Sequence, residues 1–245
     1  MRPLAAAALC SAALAAAGCR DDSWLQYDWD DRRIVCSYSI DDLSTDEPWF
    51  VIDEQLDTAR RRSSVALLHA HAPGKTVSLT RLAAVLDSAR SRGLDFVTYA
   101  DFADGGGAVA LPRPALALAL DDHAIDTWYA ARELFAARGA RVTLFVSAFA
   151  STTDEERAQL AELAAAGHSV QAHSVGHLDP LAYAAAHGVA AYLADEALPS
   201  IDILREAGYA PTVFAYPFGS HTDELDAALL EHVERVRVGP RPCPY

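Results

Sequence analysis

Short aliphatic runs alternate with helix-length amphipathic segments along most of this chain, and that alternation restricts it to parallel strands covered by helices. Residues 64–71 (SVALLHAH) read as a buried strand, and 79–92 carry Leu82, Val85, Leu86 and Ala89 at helical spacing before Gly93. Residues 94–99 form the next strand, and Gly105, Gly106 and Gly107 with Pro112 and Pro114 form a loop. Beyond it, strands are predicted at 115–120 and 142–146, and helices at 125–138 and 154–166, closed by Gly139 and Gly167; further units lie at 201–207, 212–216 and 223–233. Strand-then-helix units of about 25 to 35 residues predict an α/β fold, a distorted or incomplete (β/α) barrel. The 245 residues, 51% of them apolar, suffice for one such domain and exclude an intrinsically disordered chain. A net charge of −14 without a basic stripe excludes nucleic acid as an expected partner and disfavours charge-driven binding to anionic lipid.

Residues 1–18 (MRPLAAAALCSAALAAAG) carry one positive charge, Arg2, ahead of an uncharged apolar run. The run is shorter than the roughly 20 residues a membrane-spanning helix needs and suits a signal-peptide core. Residues 14–19 (LAAAGC) resemble the lipobox of bacterial lipoproteins, which implies cleavage before Cys19 and lipidation of Cys19. The expected organisation is a signal peptide at 1–18, a polar tether at 19–31 and one domain at 32–245, exported and anchored to the cell envelope. The alternative is a soluble secreted or periplasmic protein. With Cys10 removed and Cys19 lipidated, Cys36 and Cys243 remain as an even pair in an oxidising setting, and a disulfide between them is expected.

Two polar clusters sit at predicted strand ends, where such folds build active sites. Asp121 and Asp122 follow the strand ALALAL directly. Adjacent carboxylates repel unless a cation or proton separates them, so one can hold a metal while the other acts as a base. The second cluster is His173-Ser174-Val175-Gly176-His177, whose histidines at i and i+4 can grip one ion. Asp122, His173 and His177 make a three-ligand set that leaves positions open for water.

These motifs resemble those of the polysaccharide deacetylases, the NodB-homology family of carbohydrate esterases. Ala119-Leu120-Asp121-Asp122-His123 is similar to its T-F-D-D-G, His173, Ser174 and His177 match its H-[ST]-x-x-H, and Ala215-Tyr216-Pro217-Phe218-Gly219 is similar to its R-x-P-[YF]-G. The run at 163–170 and the strand at 142–146 resemble the family's approach to the second motif. Residues 67–71 (LLHAH), the helix to Arg92 and 96–99 (FVTY) look like a segment that closes the family's domain, yet here they precede the Asp-Asp pair. The chain therefore reads as circularly permuted, with the segment around Asp41 and Asp42 in the place of a further aspartate motif.

The resemblance implies metal-dependent removal of acetyl groups, N-acetyl before O-acetyl, from a cell-envelope or extracellular polysaccharide. One divalent ion is implied, zinc foremost, with cobalt, nickel or iron as alternatives. Asp122, His173 and His177 would hold it, and Asp121 would be the base. Either His69 or His71 would be the acid, since both face one side of a strand. Phe218 would offer its backbone N–H to the oxyanion beside Pro217, and Leu67 or Leu68 would line the acetyl pocket. A monomer is expected. Two other readings are a catalytically silent glycan-binding lipoprotein and an amidohydrolase acting on a small cyclic amide. The chain departs from the family pattern in Ala215 for arginine, His123 for glycine and Ala119 for threonine.

Overall fold

The computed structural model describes residues 25–42, 49–103 and 112–239. In chain order the strands are β1 (Gln26–Tyr27), β2 (Ile34–Cys36), β3 (Tyr38–Ser39), β4 (Val65–Ala70), β5 (Asp95–Phe96), β6 (Ala115–Asp122), β7 (Thr143–Val146), β8 (Ser169–Ala172), β9 (Val213–Ala215) and β10 (Arg235–Val238). The helices are α1 (Trp49–Arg62), α2 (Leu79–Ser91), α3 (Ala100–Ala103), α4 (Ile125–Ala130), α5 (Arg132–Ala136), α6 (Asp154–Ala165), α7 (Pro180–His187), α8 (Val189–Tyr192), α9 (Leu198–Glu206) and α10 (Asp223–Leu229). A π-helical turn, Leu193–Ala197, joins α8 to α9.

Strands β4, β6, β7, β8, β9, β10 and β2 lie side by side in parallel. After β2 the chain continues into β3, which pairs with β4 in parallel through Tyr38↔Leu68 and Ser39↔His69. The segment 34–39 thus bridges the two edges, and the sheet becomes a nearly closed barrel. Such near closure leaves few of the unpaired edges an open sheet would present.

The period of two sorts each strand between two cores. In β6, Ala115, Ala117, Ala119 and Asp121 point into the barrel, while Leu116, Leu118 and Leu120 face the helices. Each of these leucines is fully buried, which stabilises the outer layer by about 1.5–3 kcal/mol apiece. The barrel interior is closed at its lower end by aromatics. Tyr27 stacks on Phe102 at 4.7 Å between centroids, and Tyr99 packs on Phe102 at 5.2 Å. Arg235 lies over the Tyr27 ring at 4.8 Å. What remains open is the upper end, where the strand carboxyl termini gather.

Several sequence expectations are corrected. The tether expected at 19–31 is folded from Leu25 onward: β1 pairs antiparallel with β4, and Leu25, Gln26 and Tyr27 are buried. The strand expected at 94–99 pairs only at Asp95–Phe96, because the chain then turns inward to place Tyr99, whose N–H donates to Thr143 Oγ1 at 2.9 Å. The single helix expected at 125–138 is two short helices. Helix α1, in which Val51, Ile52, Leu56 and Ala59 form the buried stripe, was not among the expected elements. His168 is buried, and its Nδ1 accepts the Val142 N–H at 3.1 Å; His221 is partly buried, with its Nδ1 2.8 Å from Asp226 Oδ2. Trp128 is buried, and its indole N–H donates to the His71 carbonyl at 2.8 Å. The signal peptide at 1–18, Cys19, the glycine loop at 105–107 and Cys243 lie outside the described residues.

Candidate active site

The upper rim of the barrel collects side chains from five strands. β6 ends in Asp121 and Asp122; His173 follows β8 directly; Phe218 follows β9 on a short turn; β4 carries His69 with His71 just beyond; and β10 carries Arg237. Of the eight non-glycine residues with positive φ among the described residues, four are here: Asp122 (82°), Ser174 (68°), His177 (54°) and Phe218 (58°). Such backbone costs of order 1–3 kcal/mol per residue and persists where surrounding contacts over-determine it, a concentration found at working sites. One such contact is at Gly219, where an added Cβ would meet the Gly239 Cα at 2.2 Å. Glycine at 219 lets the turn that carries Phe218 approach the end of β10.

Asp122, His173 and His177 come together as expected: one ligand atom from each lies within 4.8 Å of the others. Asp122 Oδ1 is 2.9 Å from His177 Nε2 and 3.4 Å from His173 Nε2. The second spacing is close to the about 3.3 Å edge of a tetrahedron of ligands each 2.0–2.1 Å from an ion. His173 Nδ1 lies 2.7 Å from the Ala215 carbonyl and must donate to it, which leaves a lone pair on Nε2 in the neutral ring. That lone pair and the Asp122 oxygen face one another, and Asp122 Oδ1 is buried without a hydrogen-bond donor. Two acceptors so placed call for a cation between them, so the residues fit a divalent metal. His123 stays out of this group: its Nδ1 faces the Ser147 carbonyl at 3.1 Å and its Nε2 faces Glu156 at 3.3 Å.

Asp121 is 2% exposed and points into the barrel. Its Oδ2 accepts a short hydrogen bond from Arg237 Nη2, an ion pair in which both side chains are buried. Burial alone would raise the Asp121 pKa; the Arg237 charge reverses that and holds it below the ordinary carboxylate value. Oδ1, by contrast, is buried with no partner and is the free acceptor. Sequence reasoning missed Arg237. The arginine absent at Ala215 reappears on the adjacent strand, directly opposite, because Ala215 and Arg237 are register partners. The available signal was RVRV at 235–238, which puts two arginines on one face of a strand.

The two candidate acids separate. His69 is 7% exposed, its Nδ1 lies 2.8 Å from Ser37 Oγ, and burial followed by the nearby Arg237 charge pushes its pKa down to about 3. It is neutral across the working range. His71 is 35% exposed in its side chain and its Nδ1 lies 2.5 Å from Asp41 Oδ2. Burial disfavours its charge, but the Asp41 hydrogen bond and the charges of Asp121, Asp41 and Asp122 raise its pKa to about 9. Asp41 is held in turn by the Thr76 hydroxyl at 2.7 Å and the His71 N–H at 3.2 Å. Asp42 instead accepts from the Ser78 N–H, at the start of α2.

Leu68 does not line the site. It faces the helices in the outer core, as its even position on β4 requires, whereas Leu67 points into the barrel below His69. Pro217 is buried, and the exposed Phe218 ring packs against His177 with centroids 4.7 Å apart.

Asp41→Asn is expected to move the alkaline limb of the pH–rate profile to lower pH by about one unit or more, as His71 falls from about 9 toward the ordinary imidazole value of about 6.5. An acid must be protonated to act, so activity is lost as pH rises through its pKa, and a lower pKa brings that loss earlier. A profile of kcat/KM against pH for the two proteins checks this, and an unmoved limb would remove His71 from the role.

The chain is similar in fold to IcaB from Ammonifex degensii, with 23% identity and a TM-score of 0.54 over 67% of this chain and 78% of that one. It is also similar to a de-N-acetylase from Aggregatibacter actinomycetemcomitans, at 14% identity and a TM-score of 0.56 over 71% of this chain and 93% of that one. The BpsB deacetylase domain from Bordetella bronchiseptica aligns at 18% identity with a TM-score of 0.50, over 64% of this chain and 84% of that one. No curated protein matches the sequence. The family model described as Polysaccharide deacetylase matches residues 108–233, just over half the chain. That span holds the Asp-Asp pair, His173, His177 and the Phe218 turn, and the chain belongs to the polysaccharide deacetylase family.

Proposed function

We propose that this protein uses one divalent metal ion, zinc foremost, to hydrolyse N-acetyl groups on a cell-envelope or extracellular polysaccharide. The observation that carries the reading is the convergence of Asp122, His173 and His177 beside a buried carboxylate, Asp121, whose second oxygen is unpartnered. A divalent ion bound there would make water acidic and polarise the acetyl carbonyl.

The chain's own residues supply the rest. Asp121 Oδ1 takes the proton of the attacking water, while Arg237 fixes Oδ2 and keeps the carboxyl ionised. His71, oriented through Nδ1 by Asp41, gives a proton from Nε2 to the departing nitrogen. An amine leaves only when protonated, and an imidazole that stays charged to about pH 9 suits that task better than the departure of an alcohol, which favours N-acetyl over O-acetyl substrates. The Phe218 N–H faces the oxyanion, and its exposed ring borders the substrate. The second candidate acid, His69, is a neutral neighbour that packs beside His71 at 5.8 Å between ring centroids.

Three further readings belong with this proposal. Residues 1–18 act as a signal peptide and Cys19 carries lipid, which ties the domain to the cell envelope. The chain is a circular permutation of its family's domain, supported by β4 lying beside β6 in the sheet while preceding it in sequence, outside the span the family model matches. Cys36 pairs with Cys243: Cys36 and Val238 are register partners, so the chain beyond β10 leaves from beside Cys36.

Metal content of the purified protein tests the central reading. About one zinc or similar ion per chain is expected, lost in Asp122→Ala, together with acetate release from N-acetylated oligosaccharides by the wild type alone. No metal in either protein after reconstitution would overturn it.

A further inference from the structure

The two metal-site histidines sit at opposite ends of a turn whose backbone has little intrinsic reason to hold its shape. Ser174 and His177 both have positive φ, at 68° and 54°, without being glycine. Three successive N–H groups in the turn are nevertheless bonded. His177 N–H donates to Ser174 Oγ at 2.9 Å. The other two go to a single residue, Glu196: Val175 N–H donates to its main-chain carbonyl at 3.1 Å, and Gly176 N–H to its Oε2 at 2.8 Å.

Glu196 is 5% exposed and lies within the π-helical turn Leu193–Ala197. In a regular helix its carbonyl would accept from the N–H four residues on; in the wider turn it is turned outward to Val175. Pro199, near the start of α9, has no N–H to close a regular turn back onto Asp195, which accounts for the widening. The fit is tight on the other side too. A Cβ added at Gly176 would lie 2.8 Å from Glu196 Oε1, so only glycine admits the carboxylate at this distance.

We propose that Glu196 is a positioning residue for His177: its carbonyl and carboxylate together clamp the 174–177 turn and so set where the second imidazole points. This rests on the reading of Asp122, His173 and His177 as metal ligands. Groups one layer behind a ligand typically change metal affinity 10–100-fold when lost.

The test compares wild type, Glu196→Gln, Glu196→Ala and Gly176→Ala by two measurements: NMR-detected amide exchange on the metal-free protein, and zinc affinity by chelator competition. In Glu196→Ala the Gly176 amide, which loses its carboxylate acceptor, should exchange about 10-fold faster or more, while the Val175 amide, whose acceptor is the retained main-chain carbonyl, changes less, and zinc affinity should fall about 10–100-fold. Glu196→Gln keeps an acceptor oxygen and should stay within about 3-fold of wild type in both. Should Glu196→Ala not fold, Gly176→Ala carries the test, because its methyl group displaces the carboxylate from the opposite side and should weaken zinc binding about 10-fold. Wild-type exchange at 176 in Glu196→Ala, undiminished zinc affinity in either alanine variant, or equal damage from Glu196→Gln overturns the proposal. If the wild type itself binds no zinc, the ligand reading fails, and amide exchange alone decides the role of Glu196.

Discussion

Asp121→Asn should lower kcat by about 10²–10⁴-fold, the usual contribution of a positioned base, while the protein still binds its metal. The asparagine oxygen can still accept from Arg237, which keeps the hydrogen bond though not the counter-charge, and the Asp122, His173 and His177 cluster stays in place. What is lost is the basic oxygen, Oδ1, which no protein group occupies. Acetate release and metal content measured on one preparation separate this from a binding protein without turnover. Near-normal acetate release by a metal-loaded variant would assign the proton transfer to another group.

Arg237→Met should be almost as severe, and for a different reason. Asp121 would then be a buried carboxylate with no counter-charge; breaking a buried pair by removing one partner costs about 3–5 kcal/mol. Burial raises the Asp121 pKa and the Arg237 charge is the leading influence that lowers it, so its loss moves the pKa upward. A base acts only when deprotonated, and the acid limb of the pH–rate profile should therefore shift to higher pH. The sign for stability is the same: a depressed carboxyl pKa contributes stability that is present above the unfolded value and lost as pH falls through the folded one, and without Arg237 that contribution disappears. The informative companion is the exchanged pair, Ala215→Arg with Arg237→Ala. The two positions are opposed on adjacent parallel strands, about 4.8 Å apart, and both face inward, so the guanidinium can reach Asp121 from either. Recovery of most of the lost activity and melting temperature in the double variant is expected. A double variant no better than Arg237→Met would show that the pair does more at β10 than supply a charge.

Much of the site was legible along the chain because each of its motifs is local. Asp121 and Asp122 end an apolar strand, His173 and His177 are four residues apart, and Phe218 lies within five residues of Ala215. The strand and helix rhythm likewise announced a barrel, since a period of two or of 3.6 is written within a dozen residues. His123 as a replaced glycine was visible too, but that its imidazole turns away to Ser147 and Glu156 was not.

The sequence by itself therefore determined the strand-helix class and singled out Asp121, Asp122, His173 and His177 as the candidate site, all through patterns confined to a short stretch. Only the tertiary structure decided what depends on which strands become neighbours and in what register. It distinguished His71 from His69 by setting Asp41 against one ring and Ser37 against the other, and it turned Leu68 to the helices and Leu67 to the interior. It brought Arg237 to Asp121 across 116 residues of chain. Closure of the sheet through the segment 34–39 places Asp41 beside the strand that bears the histidines, and no local pattern encodes that closure, because hydrogen bonds between strands carry no record in the sequence of either strand alone.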